Sequence, residues 1–428
     1  MVAVAHRGGE PPASGARQAV VAAVIGNVLE WYDFSVYAFV AVIIAKKFFP
    51  AGNDTSALLA TFAAFGLGFL ARPLGGIVIG RIGDTRGRKA ALVLTILLMA
   101  IGTTLIGLIP SYASIGLLAP ALLVFARLMQ GFSAGGEWGG STAFIVEWAP
   151  SGRRGYYGSF QQASVAAGLL LGSAIALLIS KSLGAEAMDD WGWRVPFLLG
   201  AILGPVGMYL RRNIDETPAY RQLSASPPPP AAAISPVGLA ARAFGFTIHW
   251  TVAFYIFLSY MPTFTGKYLK LDPIQALWSN TIGLLVLVVA IPLFGRLSDR
   301  IGRKPLLLIS CGAFVLLPYP LFSHLLADPG FGGVIATQIL FGLCIALYSG
   351  PGPAAISEIF PTRIRSTWMT TGYALSVAIF GGFAPFIATA LIDAFEMPIA
   401  PFFYVMAASA VTFLVLLGLR ETAHGELA

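Results

Sequence analysis

Charged side chains are scarce in this sequence. Asp, Glu, Lys and Arg make up 11% of its 428 residues, whereas soluble globular proteins carry about 25%. Apolar residues make up 57% and the mean hydropathy is +0.78, which leaves more apolar surface than one water-soluble core can bury. A cytosolic enzyme and a disordered chain are therefore excluded, and the composition predicts a polytopic protein embedded in the lipid bilayer.

Cysteine is nearly absent as well. Cys311 and Cys344 are the two cysteines, and both lie inside long apolar runs, which excludes a disulfide framework and a cysteine metal site. The chain also lacks the Gly-x4-Gly-Lys-Ser/Thr loop of ATP-driven machines and the His-Glu-x-x-His pair of zinc peptidases. We therefore expect no cofactor, no metal and no enzymatic reaction.

Twelve apolar runs are long enough to cross a bilayer as helices, which takes about 20 residues. They begin near Gln18, Ala57, Ala90, Gly116, Tyr157 and Arg194, and then near Leu239, Gln275, Pro305, Phe331, Thr367 and Ile399. The first run is too long for a cleavable signal peptide and contains Glu30 and Asp33, so we expect it in the mature protein.

Basic residues fall mainly in alternate loops. The net charge is +7, and most Lys and Arg residues lie on one side of the predicted membrane, with examples at Arg86, Arg153 and Arg300. Because positive loops stay in the cytoplasm, we expect both termini to be cytoplasmic. Topology accounts for the basic charge, and no nucleic-acid partner is expected.

A ten-residue loop occurs twice, as GRIGDTRGRK at 80–89 and GRLSDRIGRK at 295–304. Each copy follows the second span of its half, which predicts two six-helix bundles in parallel repeat, as in secondary transporters. The four prolines at 227–230 indicate a stiff solvated linker. We predict a cytoplasmic segment at 1–17, bundles at 18–212 and 239–420, a linker at 213–238 and a tail at 421–428.

The repeated loop resembles the signature of the major facilitator superfamily. Other stretches resemble its metabolite:proton symporters: GNVLEWYDF at 26–34, GFLARPLGG at 68–76, RLMQGFSAGGEWGG at 127–140, WGWRVPF at 191–197 and ETP at 216–218. The resemblance implies an all-α fold of twelve transmembrane helices in two pseudo-symmetric bundles and transport by alternating access. It also implies a monomer in a bacterial inner membrane. Similar members carry citrate, α-ketoglutarate, shikimate, or proline and betaine with a proton.

Five ionisable residues lie inside predicted spans of the N-terminal half, at a cost of roughly 2.5–3.5 kcal/mol each: Glu30, Asp33, Arg72, Arg127 and Glu137. The helical rise places Asp33 and Arg127 at one level and Arg72 and Glu137 at a shallower one. We predict that Arg127 pairs with a first-span carboxylate until an anionic solute competes, after which Asp33 or Glu30 takes a proton. The alternative is that these are structural ion pairs, an interpretation that suits Arg72 and Glu137 best.

Further candidate solute contacts are the neutral side chains of Gln130, Gln161 and Gln162, the titratable His249, and the aromatic Tyr255 and Tyr348. Trp250 is a further aromatic candidate in the seventh span. Packing between helices is the competing interpretation for the aromatic residues, and a hydrogen-bonded core position is the competing one for His249.

The repeated loops supply candidate gating residues. A carboxylate beside a helix N-terminus is stabilised by the helix dipole, so Asp84 and Asp299, with Arg88 and Arg303, are predicted to latch one closed conformation. The resemblance assigns this role to Asp84 with Arg88. A solvated turn is the alternative.

Two intramembrane arginines facing acids favour proton-coupled uptake of a small organic anion, a di- or tricarboxylate such as citrate or α-ketoglutarate. The alternatives are shikimate or a zwitterionic osmolyte such as betaine or proline, whose carboxylate needs one arginine and whose cation suits aromatic residues. Osmosensing relatives carry a long C-terminal coiled coil, whereas residues 421–428 are few, which favours the organic acid. Proton-driven export and, in a different class, a membrane enzyme or channel also stay open.

Overall fold

The computed structural model describes residues 13–50, 53–86, 88–135, 137–150, 152–212, 236–423 and 425. Within these residues the regular structure is entirely helical. The helices form twelve consecutive units, numbered α1 to α12 below, and most begin close to the positions that the apolar runs predict.

The first six units form the N-terminal bundle. They are α1 (Ala13–Phe39 and Ala41–Phe48), α2 (Asp54–Leu70 and Arg72–Arg86), α3 (Arg88–Leu108), α4 (Leu118–Ala134 and Glu137–Trp148), α5 (Arg154–Asp190) and α6 (Val195–Arg212). A short helix, Tyr112–Ile115, precedes α4, and a 3₁₀ turn, Gly192–Arg194, precedes α6.

The last six units form the C-terminal bundle. They are α7 (Pro236–Phe254, Tyr255–Tyr260 and Met261–Lys267), α8 (Pro273–Ile301), α9 (Arg303–Leu316 and Pro318–Ala327), α10 (Phe331–Ser349 and Gly352–Glu358), α11 (Thr362–Ser376, Val377–Gly381 and Ala384–Phe395) and α12 (Ala400–Leu417). The middle segments of α7 and α11 are π-helical.

Seven helices of the described residues are individually long and apolar enough to span a bilayer, and treating each of two bent pairs as one span raises this to nine. The bent pairs are α1, with 63° between its halves, and α9, with 40°. The bend in α9 falls at Pro318, where proline removes the backbone N–H of the helix. Leu94–Leu108 of α3 and Leu118–Ala134 of α4 are shorter apolar helices.

Glycines bring α2 and α4 into backbone contact. A Cβ atom at Gly131 would overlap the carbonyl group of Gly68, and one at Gly135 would overlap the carbonyl group of Arg72. Small residues four apart commonly allow such close helix packing in membranes. The approach brings Arg72 on α2 and Arg127 on α4 into the same part of the N-terminal bundle.

Candidate functional site

A small cavity of about 20 Å³ lies where the two bundles meet, which is room for about one water molecule. Both bundles contribute to its walls, which are formed by Trp31 of α1, Gln162 and Val165 of α5, Trp250, Thr251, Phe254 and Tyr255 of α7, and Tyr373 of α11. The lining is therefore mostly aromatic, with an amide and a hydroxyl as its neutral polar groups.

Neighbouring side chains hold these rings in place. Nε1 of Trp250 donates to Oγ of Ser349 at 2.9 Å. Trp138 stacks on Tyr373, with ring centroids 3.4 Å apart, and Trp31 meets Phe254 edge to face at 5.9 Å. The π-helical segment of α7 begins at the cavity, and such segments are frequent at functional sites.

The two buried arginines lie among aromatic rings. The guanidinium carbon of Arg127 is 5.0 Å from the ring centroid of Phe34, 4.7 Å from that of Tyr37 and 4.8 Å from that of Phe65. Arg72 shares the ring of Phe34, at 4.8 Å. The negative ring faces offset part of the cost of burying these two guanidinium groups.

Arg72 also lies 4.5 Å from the ring of Phe69 and 5.6 Å from that of Trp31, and Trp31 itself lines the cavity. Within the described residues, Nε and Nη2 of Arg72 and Nε of Arg127 have no hydrogen-bond partner. These buried N–H groups can therefore donate to an anionic group without first breaking another hydrogen bond.

The predicted Asp33–Arg127 ion pair is not among the ion pairs of the described residues. Nη1 of Arg127 instead donates to Oε1 of Gln130 at 2.7 Å, and Nε2 of Gln130 donates to Oγ1 of Thr103 at 2.7 Å. Thr103 lies beside Asp33, because a Cβ atom at Gly200 would lie 2.7 Å from Cγ2 of Thr103 and 3.3 Å from Oδ1 of Asp33. Two neutral side chains, Gln130 and Thr103, thus lie between the arginine and the acid. Thr103 is an ordinary threonine in an apolar run, and nothing in the sequence distinguishes it.

The other predicted acids are placed differently. Glu30 is half-buried one turn before Asp33 on α1. The side chain of Glu137, and with it the predicted Arg72–Glu137 pair, lies outside the described residues. Of the two glutamines on α5, Gln162 lines the cavity, and it donates to Oε1 of Gln161 at 2.9 Å.

His249 is a hydrogen-bonded residue inside the C-terminal bundle. Its ring nitrogens lie 2.8 Å from Oγ of Ser409 and 3.2 Å from Oγ of Ser310. Tyr348, which packs on the same ring, donates to the carbonyl oxygen of Phe246 at 2.6 Å. Neither residue lines the cavity. Tyr255 does, and within the described residues its hydroxyl group has no hydrogen-bond partner.

The bundles also meet at the end that carries the second repeated loop, here called the loop end. Oδ1 and Oδ2 of Asp299 accept hydrogen bonds from the backbone N–H groups of Gly155 and Tyr156, at 2.8 and 2.9 Å. These groups belong to the N-terminus of α5, so the carboxylate faces the positive end of a helix dipole. Arg303 holds Asp299 at 2.7 Å and Glu358 at 3.3 Å. The side chains of Asp84 and Arg88 lie outside the described residues.

Residues after α12 reinforce the loop end. Glu421 accepts from the backbone N–H groups of Arg303 and Lys304, at 2.9 and 2.8 Å, and caps the start of α9. Burial raises the pKa of Glu421, but its backbone hydrogen bonds lower it more, so the net pKa lies below its ordinary value. Oγ1 of Thr422 donates to Glu358 at 2.6 Å.

The opposite end of the bundle interface is closed too. Oγ of Ser173 on α5 lies 2.8 Å from Oγ1 of Thr281 on α8. A Cβ atom at Gly66 of α2 would lie 2.6 Å from the ring of Phe383, which precedes the last segment of α11. The cavity therefore lies between two contact regions, one at each end of the α5–α8 pair.

Comparisons with known proteins agree with this architecture. Residues 19–226 match the family described as Sugar (and other) transporter, and residues 243–427 match the Major Facilitator Superfamily. The chain is 35% identical to the glycine betaine/proline/ectoine/pipecolic acid transporter OusA of Dickeya dadantii, over 96% of this chain and 84% of that protein. It is 34% identical to the proline/betaine transporter of Escherichia coli K12, over 96% and 85%.

Solved structures show the same fold. The xylose transporter XylE from E. coli, in a partially occluded inward-open conformation, matches with a TM-score of 0.78 and 18% identity, over 96% of this chain and 99% of that one. The chain therefore belongs to the major facilitator superfamily, within its metabolite:proton symporters. It is a multi-pass membrane transporter with twelve helices in two bundles, and it is not an enzyme.

The expectation of a di- or tricarboxylate solute is wrong. OusA and the two transporters of Salmonella typhimurium and E. coli are named for betaine and proline, not for citrate or α-ketoglutarate. Two buried arginines suggested a solute with several carboxylates, but these arginines face aromatic rings, and neither lines the cavity. The similarity to these relatives also outweighs the argument from the short C-terminal tail.

Proposed function

We propose that this protein takes up a small zwitterion, glycine betaine or proline, together with a proton. The observation that carries the proposal is an aromatic cavity next to a pair of buried arginines. A substituted ammonium group binds well to aromatic faces, and a single carboxylate is matched by one guanidinium fork. The names of the similar relatives support the same solute class.

In this proposal the two charged ends of the solute have different sites. The rings of Trp31, Trp250 and Tyr255 surround the ammonium group, and Gln162 and Thr251 supply neutral hydrogen bonds. The carboxylate turns toward Arg72 and Arg127. Because a cavity of about 20 Å³ is far smaller than such a solute, its walls move apart before the solute enters.

Proton coupling is assigned to Asp33 or Glu30, the two acids of α1. Asp33 is 6% exposed, and within the described residues its Oδ1 has no hydrogen-bond partner. A protonated carboxyl group would cost less to bury than the anion. The proton and the solute then cross together, and the gradient of one drives the other.

The gates complete the cycle. We assign Asp299 and Arg303, with their counterparts Asp84 and Arg88, to a latch that holds the loop end closed, and we place this end in the cytoplasm with both termini. The two bundles, 18–212 and 239–420, rock about the cavity while the linker at 213–238 joins them. A monomer in a bacterial inner membrane is sufficient, because one chain forms the whole pathway.

The test is solute-driven proton movement into proteoliposomes that contain a pH-sensitive dye. Betaine, proline and ectoine are added outside, with citrate as the comparison solute and protein-free vesicles as the control. We expect internal acidification with betaine or proline and none with citrate. Uptake of labelled betaine without acidification would refute proton coupling, and acidification with citrate alone would refute the solute class.

A further inference from the structure

We infer that Thr103 and Gln130 form a hydrogen-bond relay that couples solute binding at Arg127 to protonation of Asp33. This inference rests on the proposed function and adds a route between its two sites. Hydrogen bonds lead from Nη1 of Arg127 through Gln130 to Thr103, and Thr103 lies beside Asp33 where both side chains approach Gly200. All four residues are buried, with exposed fractions between 0% and 6%.

The relay has one direction because its first member can only donate. A guanidinium group has no acceptor, so the amide oxygen of Gln130 faces Arg127 and its NH₂ group faces Thr103. Since Oγ1 of Thr103 accepts that bond, its own proton is free for the Asp33 carboxylate. The N–H donors of the hydrogen-bonded Arg127 and Gln130 therefore point toward Thr103, and a Thr103 hydroxyl group that donates to Asp33 stabilises the ionised form of the acid.

Two glycines shape the space that the relay occupies. A Cβ atom at Gly102 would lie 2.8 Å from Cγ of Gln130. A Cβ atom at Gly200 of α6 would lie 2.7 Å from Cγ2 of Thr103 and 3.3 Å from Oδ1 of Asp33. The side chains of Thr103 and Asp33 thus both pack against Gly200, where a larger residue would not fit.

A solute carboxylate that accepts a hydrogen bond from Nη1 of Arg127 competes with Oε1 of Gln130, which then loses its bond to the arginine. The amide is then no longer held, Thr103 loses its donor, and the Asp33 carboxylate loses part of its stabilisation. Asp33 binds a proton more readily as a result. By linkage, a proton on Asp33 strengthens solute binding by the same factor.

Other titratable groups near Asp33 are the same in every variant used below. Glu30 and Tyr32 lie on α1 itself, and Tyr32 is engaged as a donor to the carbonyl oxygen of Pro196 at 2.6 Å. On α3 the group that faces Asp33 is Thr103, and α6 presents Gly200.

The experiment measures betaine affinity between pH 5 and 10 by tryptophan fluorescence of the purified protein. The variants are T103V, which removes the hydroxyl group, T103S, which keeps it, and Q130M, which removes the amide. The matched control is T61V, because Thr61 is equally buried and its hydroxyl group bonds only within its own helix, to the carbonyl oxygen of Ala57.

We expect T103V to move the midpoint of the pH profile upward by about one to two pH units, the effect of one lost hydrogen bond to a charged group. Q130M moves it in the same direction and lowers the number of protons bound per betaine. T103S and T61V keep the wild-type profile. If T103V does not fold, the comparison of Q130M with T61V decides by the same criterion.

Coincident profiles for T103V and T61V, or equal shifts in T103S and T103V, would overturn the relay. These results are distinct from a failure of the proposed function. Wild-type vesicles in which neither betaine nor proline moves protons would overturn that function, whereas wild-type coupling with unshifted variants would overturn the relay alone.

Discussion

Replacing Asp299 by Asn tests the latch at the loop end. The carboxylate accepts two backbone N–H groups of α5, at 2.8 and 2.9 Å, and these bonds join the two bundles. Its bond to Arg303 lies within the C-terminal bundle and persists when the bundles separate. The two inter-bundle bonds are therefore the ones whose loss changes the equilibrium between closed and open loop ends.

The magnitude follows from the charge on the acceptor. A hydrogen bond to a charged group contributes about 1.5–3 kcal/mol, and the Asp299 side chain is 7% exposed, so solvent compensates little. Asparagine keeps one acceptor oxygen and loses the charge. We expect D299N to weaken the closed loop end by about 2 kcal/mol, or about thirty-fold in its equilibrium constant.

Distances between spin labels measure this equilibrium. Arg153 and Arg300 are exposed, and they lie beside the two sides of the latch, while the native Cys311 and Cys344 are buried and leave labels at 153 and 300 as the main signal. D299N should add a longer-distance population that the wild-type protein lacks. Asp328 is exposed on the loop after α9, so D328N is the matched control. Identical distance distributions for D299N and D328N would refute the latch.

Three further substitutions test other parts of the structure. W250L should raise the betaine KM about thirty-fold and the proline KM less, because a desolvated cation–π contact contributes about 2 kcal/mol; labelled uptake measures this with W191L as control, and equal losses would contradict a cation site. G131A should lower the unfolding temperature, since overpacking costs about 1–3 kcal/mol; G312A, where a Cβ meets nothing within 4 Å, is its control, and a stable G131A would contradict the close helix contact. At pH values above 4.5, the ordinary pKa of Glu, E421Q should have a lower unfolding temperature than the wild-type protein. This difference should disappear at lower pH, because a carboxylate with a lowered pKa contributes stability that protonation removes. A deficit that is constant with pH would contradict the capping role.

The helices could be predicted because their signal is local. An apolar run long enough to cross the membrane is visible in the chain itself, and the repeated loop locates the half-repeat. Gly131 can likewise be recognised in the sequence as a small residue, and a Cβ atom there would overlap Gly68. Such features depend on a residue and its neighbours in sequence.

The site was less predictable because its contacts join different helices. Arg127 was expected to face Asp33 at the same depth, yet the ring of Phe34 and the amide of Gln130 occupy its surroundings. The depth of a residue in the membrane does not determine which side chain of a neighbouring helix it contacts. Thr103 is significant only because it contacts Gln130 and packs against Gly200. These contacts join three helices, and a single sequence does not reveal them. The solute class was missed for the same reason.

The contacts at the two ends of the α5–α8 pair have an energetic consequence for the cell. Ser173 meets Thr281 at one end while Asp299 meets Gly155 at the other, so a conformation exists in which neither compartment reaches the centre. A protein that passes through this doubly closed arrangement never opens a continuous water path. Solute and ions can then cross only when the bundles change conformation, which limits passive leakage across the membrane.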